Sequence, residues 1–256
     1  MRYSISFAFI VLLSFFTGSI HAHDMVDLVK QIKPSVVGIG VHTPMGRPKN
    51  QLRGSGFVIG NGQYVATNQH VLPELLNSET LQQMAVFVGT GKSAKVRKAE
   101  VVAESKYYDL AILKIEGTPL PAMKLAKDDF WPEGSEVGFT GFPIGAILGL
   151  YPVTHKAMIA SITPVVIPVQ DTRDMTITML KRLRDPYMVY QLDGTAYPGN
   201  SGSALYDATN GEVIAVINKV FVQTTKEAVI SNPSGITYAI PVRHLKKLMK
   251  EKNIPL

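Results

Sequence analysis

The chain has 256 residues, 46% of them hydrophobic, a formal net charge of +6 and no cysteine. That length accommodates one large all-β unit or two small domains with ample material for a core. The absence of cysteine excludes disulfide staples, thiol catalysis and cysteine-ligated metals, and the scattered lysines and arginines read as solvated faces rather than a nucleic-acid or lipid site.

In chain order, Arg2 precedes an apolar run that ends near Phe16, and Gly18 to Ala22 supplies small residues. The run is short for a membrane span and reads as a secretory signal cut after Ala22, with an uncleaved anchor as the alternative. Losing Arg2 takes the charge from +6 to +5. The expectation is an exported protein, periplasmic or secreted, with no membrane contact once the signal is gone. Asp24 then caps a short helix in which Met25, Leu28, Val29 and Ile32 recur at helical spacing until Pro34 closes it.

From residue 35 the pattern changes to short strands, at 35–41, 56–60, 64–67, 84–88, 96–103 and 110–115. Others fall at 136–140, 158–162, 188–192, 203–206, 213–220 and 236–240. Asn61-Gly62 marks a hairpin turn. Regularly spaced short strands with Gly/Pro turns indicate an all-β barrel or sandwich. The stretch 144–187 reads as long and irregular, apart from the strand at 158–162, and would border a cleft or another subunit. At 242–252, Val242, Leu245, Leu248 and Met249 share one face of an amphipathic helix.

Three positions carry chemistry. Ser201 stands in Gly199-Asn-Ser-Gly-Ser203, where glycines let the backbone turn its N–H groups toward one point. A serine hydroxyl needs a base and a place for negative charge before it can attack a carbonyl. His70 follows the 64–67 strand directly, a rigid mount for a base that exchanges protons near neutrality. Asp109 stands at the mouth of the 110–115 strand, where a carboxylate could fix the tautomer of His70. His42, His155 and His244 read as structural.

His70, Asp109 and Ser201 occur in the order of chymotrypsin-type proteases. The flanking motifs, Gly54-Ser-Gly-Phe-Val-Ile59, Thr67-Asn-Gln-His-Val71, Asp109-Leu-Ala-Ile-Leu-Lys114 and Gly141-Phe-Pro-Ile-Gly145, resemble the HtrA (DegP/DegS) group of trypsin-like serine proteases. Gly211-Glu-Val-Ile214 and Gly235-Ile-Thr-Tyr-Ala-Ile-Pro241 extend the likeness toward the C-terminus. The resemblance implies two six-stranded antiparallel barrels, at 23–125 and 126–241, after a signal at 1–22 and before a terminal helix at 242–256. It implies a catalytic triad of His70, Asp109 and Ser201, and an oxyanion hole from the N–H groups of Gly199 and Ser201. No metal and no cofactor are called for, and the expected partners are polypeptide substrates, without nucleic acid; the oligomeric state is left open.

There are departures. HtrA proteins usually carry peptide-binding PDZ domains, and none is evident before Leu256. Ser203 replaces the second glycine after the nucleophile, a variant similar to glutamyl endopeptidases, yet the later pocket strand has no histidine to read an acidic side chain. Thr195 and Ala196 are expected at the pocket floor and Val216 and Ile217 at its wall, which suits a small or medium apolar side chain. Two function classes follow: an exported serine endopeptidase acting on unfolded or peptide substrates, or an idle protease-like module that binds peptides or a partner.

Overall fold

A computed structural model describes residues 25–143, 149–165, 177–220 and 235–256. The segments at 1–24 and 144–148, with those at 166–176 and 221–234, lie outside that description, and with them the expected signal and the Asp24 cap.

Helix α1 (Met25–Ile32) seats Leu28 and Ile32 in the core, and a 3-10 turn through Pro34 leads into the first strand. Six strands then close a barrel: β1 (Val36–His42), β2 (Asn50–Ile59), β3 (Tyr64–Thr67), β4 (Gln83–Val88), β5 (Lys95–Ser105) and β6 (Leu110–Ile115). Their order is β1-β2-β3-β6-β5-β4, with every pairing antiparallel and β1 against β4 completing the circuit. A second closed barrel, β10-β11-β12-β9-β8-β7, is built from β7 (Glu136–Gly141), β8 (Val153–Pro164), β9 (Met188–Leu192), β10 (Ala204–Asp207), β11 (Val213–Val220) and β12 (Thr237–Pro241). Two further helices are α2 (Ile177–Arg184), ahead of β9, and α3 (Val242–Glu251), after β12.

Period-2 alternation assigns the two faces of each strand. In β11, Ile217 points into the second barrel while its neighbour Val216 joins the packing between the barrels. That layer also holds Phe57, Ile59, Leu110, Ile112 and Tyr206, with Leu245 and Met249 of α3 sealing it. Each such side chain contributes about 1.5–3 kcal/mol of burial, so apolar packing fastens the two barrels together in a chain without disulfides.

Two strands, β2 and β8, outrun their predicted bounds by the most. In β8 the first half pairs with β7 and the second with β9, around a bulge between Ile159 and Ser161. β2 begins at Asn50, well before the expected residue 56. Within the 144–187 stretch, the described residues include the long strand β8 and the helix α2. The β2–β3 hairpin also differs. Ile59 pairs with Tyr64, so the loop has four residues, and Gly60 and Gly62 supply the positive φ values in place of Asn61.

Candidate active site

His70 rides on a 3-10 turn, Gln69–Val71, immediately after β3. Its Nδ1 lies 2.6 Å from Asp109 Oδ2, and its backbone N–H donates to Asp109 Oδ1 at 2.9 Å. A carboxylate only accepts, so Nδ1 carries the ring proton and Nε2 is left as the basic nitrogen. Asp109 is 7% exposed and sits in the left-handed region with φ +54. Its carbonyl takes donations from Asn68 Nδ2 at 3.0 Å and Gln69 N at 3.3 Å. The pair is thus held through side chain and main chain alike.

The turn bearing Ser201 comes from the second barrel and abuts the same strand end. A Cβ added to Gly202 (φ +87) would stand 2.2 Å from Ser55 O, 2.3 Å from Thr67 Oγ1 and 3.2 Å from Asn68 N. Only glycine fits there, which accounts for the residue after Ser201. Ser55, fully buried in β2, ties the turn down: its N–H donates to Ser201 O at 2.9 Å and its hydroxyl to Gly199 O at 2.7 Å. The Ser55 hydroxyl also accepts Phe142 N–H at 2.9 Å, and Thr67 donates to the Ser55 carbonyl at 2.7 Å.

Within the turn the amides divide into two sets. Those of Asn200, Gly202 and Ser203 are spent on Tyr197 O, Ile217 O and Asn200 O at 2.9–3.0 Å. Those of Gly199 and Ser201 have no partner among the described residues. One unspent donor is thus on Ser201 itself and the other two residues before it.

The Ser201 hydroxyl donates to the main-chain carbonyl of Asn218 at 2.9 Å, and no hydrogen bond joins it to His70. Sequence patterning had no way to mark Asn218, because the partner is a backbone atom. His155, read from the sequence as structural, lies beside the same turn. That ring stacks on Phe139 at 4.7 Å and 14°, and its Nε2 lies 3.4 Å from Nδ2 of fully buried Asn200. Burial lowers the pKa of His155, so near neutral pH it is an uncharged imidazole.

The expected pocket residues divide. Thr195 is half-buried and Ala196 buried, with Ala196 N–H donating to Thr237 Oγ1 at 2.8 Å, and Thr237 in turn donating to Gly194 O at 2.6 Å. Val216 and Ile217, expected at the pocket wall, are both fully buried in apolar packing, because consecutive β11 residues serve the two cores. Asp193 is spent on β8, where its Oδ1 accepts Met158 N–H at 2.7 Å. Among the described residues, no three His, Asp or Glu side chains gather as a metal would require.

A family model described as trypsin-like peptidase domain matches residues 54–216. The chain belongs to that family. Among curated proteins, the peptidase domain is similar to a probable periplasmic serine endoprotease, DegP-like, of Halomonas elongata, at 27% identity over 74% of this chain and 32% of the relative. A protein of the same description from Pseudomonas putida is 27% identical over 75% of this chain and 33% of its own length. The chain therefore spans about a third of the length of these relatives. Among solved structures, the serine endoprotease from Yersinia pestis superposes with a TM-score of 0.62 at 24% identity, covering 90% of this chain and 66% of that one. An HtrA-type protease solved with a tripeptide gives 0.64 at 23%, covering 89% and 63%. These two likenesses establish the shared double-barrel fold, and no described helix is long and apolar enough to cross a membrane.

Proposed function

We propose that this trypsin-like peptidase domain is an exported serine endopeptidase that hydrolyses peptide bonds of unfolded or peptide substrates, acting in the periplasm. The reading rests on the convergence of the His70–Asp109 pair and the Ser201 turn on the end of β3. Membership of the peptidase family and the printed names of the DegP-like relatives support it.

In the proposed reaction, Ser201 Oγ bonds to the scissile carbonyl carbon as His70 Nε2 takes the hydroxyl proton. Asp109 holds the ring and stabilises the imidazolium. The oxygen gains its negative charge beside the N–H groups of Gly199 and Ser201. Collapse breaks the C–N bond, and the proton passes from His70 to the leaving amine. Water, deprotonated by the same imidazole, then releases the acyl group and restores Ser201. Thr195 and Ala196 would face the side chain before the cleaved bond.

A second reading, an idle module that binds peptides or a partner without cutting them, draws on the donation of Ser201 to Asn218. A fluorophosphonate probe with casein as substrate separates the two. Wild type is expected to label at Ser201 and to cleave casein, and Ser201→Ala to do neither. A folded wild-type protein that remains unlabelled and inert would favour the binding module.

A further inference from the structure

The turn that delivers Asp109 is gripped from outside by the second barrel. Residues 105–109 link β5 to β6, and the turn ends with Asp109 in a left-handed conformation. Residues other than glycine seldom adopt that conformation, and aspartate does so where its polar side chain is held by local hydrogen bonds. On the inner side, the carboxylate and carbonyl of Asp109 are fixed by residues 68–70. On the outer side, the carbonyls of Lys106 and Tyr107 both accept from one guanidinium. Arg182 Nη2 donates to Lys106 O at 2.7 Å, and Arg182 Nε donates to Tyr107 O at 2.6 Å.

Arg182 belongs to α2, a helix of the second barrel's β8–β9 connection, more than seventy residues from the turn it holds. Other contacts join the same two segments without touching the two held carbonyls. Tyr107 OH donates to Asp185 O at 2.5 Å, just past the helix. Tyr187 packs against Tyr107 and Tyr108 with ring centroids 5.5 and 5.1 Å apart, and His244 of α3 stacks on Tyr108 at 4.1 Å. Two parallel donors from a planar, permanently charged group fix both the position and the tilt of a peptide pair, which a single ammonium cannot do.

We propose that Arg182 is a positioning residue for Asp109: by holding the Lys106 and Tyr107 carbonyls it keeps the turn in the form that aims the carboxylate at His70 Nδ1. The chain segment carrying α2 thereby sets the geometry of an acid–base pair that lies wholly in the other barrel. The proposal rests on the protease reading only for its effect on rate. Its geometric content concerns the His70–Asp109 hydrogen bond and stands separately.

The test follows the low-field proton resonance of His70 Nδ1 alongside kinetics on a peptide substrate, in the full chain. Arg182→Gln is expected to broaden or abolish that resonance and to lower kcat by roughly 10- to 100-fold, the range for a catalytic group displaced by about an ångström, with KM little changed. Arg182→Lys, with one donor group, should fall between Arg182→Gln and wild type, and it also serves if the glutamine variant does not fold. Tyr107→Phe cuts a bond between the same elements but leaves both carbonyls held, so it should keep the resonance and kcat. An unchanged resonance and kcat in folded Arg182→Gln would overturn the proposal, as would Tyr107→Phe matching its losses. If wild type neither labels nor cleaves while Arg182→Gln still loses the resonance, the positioning claim survives and the protease reading fails.

Discussion

The Ser201 hydroxyl and the Asn218 carbonyl are joined by a 2.9 Å hydrogen bond that would have to break for the proposed transfer of the serine proton to His70. A neutral bond of this kind is worth about 0.5–1.5 kcal/mol net, or about 2- to 10-fold in rate. That is too little to silence a site whose other parts are in place. The expected outcome is complete fluorophosphonate labelling without an added activator. A structure of the labelled protein should show Ser201 Oγ rotated away from Asn218, with the 199–203 backbone unmoved. Labelling that requires those residues to rearrange would show that the bond reports a deeper closed state.

Ser55 offers a sharper probe of the same turn, since one hydroxyl donates to Gly199 O and accepts from Phe142 N–H. Ser55→Ala removes both bonds and leaves one buried and one part-buried main-chain group unpaired. Losses of about 1–3 kcal/mol are expected for such orphaned groups, read as a lower urea midpoint with an unchanged slope. Because Gly199 supplies one proposed oxyanion donor, labelling of Ser201 should slow by more than binding of a peptide weakens. Equal losses in both would assign Ser55 a purely structural role.

What the sequence disclosed follows from which interactions are local. β6, β9 and β11 match their expected bounds because their apolar and β-branched runs mark burial directly. The beginnings of β2 and β8 are polar and partly exposed, and their pairing is dictated by the facing strand, so alternation did not reveal them. Helix α2 escaped notice for a related reason: Ile177, Leu180 and Leu183 are exposed, and its anchor is Arg182 on the carbonyls of a distant turn. At the site, the pairing of His70 with Asp109 was legible because both flank strands whose ends are easy to find. Asn218 and Ser55 act largely through main-chain partners, which leave no residue-type signature.

Two histidines make stability depend on pH. Burial, with Arg243 and Lys247 nearby, lowers the pKa of His244 to about 4, and burial also lowers that of His155. Both fall below the unfolded value of 6.5, so between the folded and unfolded values the unfolded chain binds more protons. Their contribution is therefore whole above the unfolded pKa and is lost as pH falls below it, for His244 toward about 4. For the part-exposed ring of His244, a loss of about 1–2 kcal/mol is expected after allowing for solvent screening. Urea unfolding of wild type and His244→Phe across this range should show a flatter profile for the variant, which keeps the stack on Tyr108. The slope that remains should include the contribution of His155; parallel profiles would refute the assignment to His244.

Gly141 and Ser203 are coupled by space. A Cβ on Gly141 would stand 2.1 Å from Ser203 Oγ, 2.8 Å from Ser55 Oγ and 2.9 Å from Asn200 Oδ1, all on groups that support the turn. Gly141→Ala should therefore destabilise by about 1–3 kcal/mol and slow labelling, since three buried side-chain oxygens around the turn would have to give way. Ser203→Gly alone removes a buried hydroxyl that has no hydrogen-bond partner among the described residues, so its cost should be small or its effect favourable. In the double variant the worst clash is gone and the two milder ones persist. A double-mutant cycle by urea denaturation should then give a favourable coupling of about 1–2 kcal/mol, with rescue only partial. Strict additivity would mean that Ser203 Oγ is not the atom that confines position 141 to glycine.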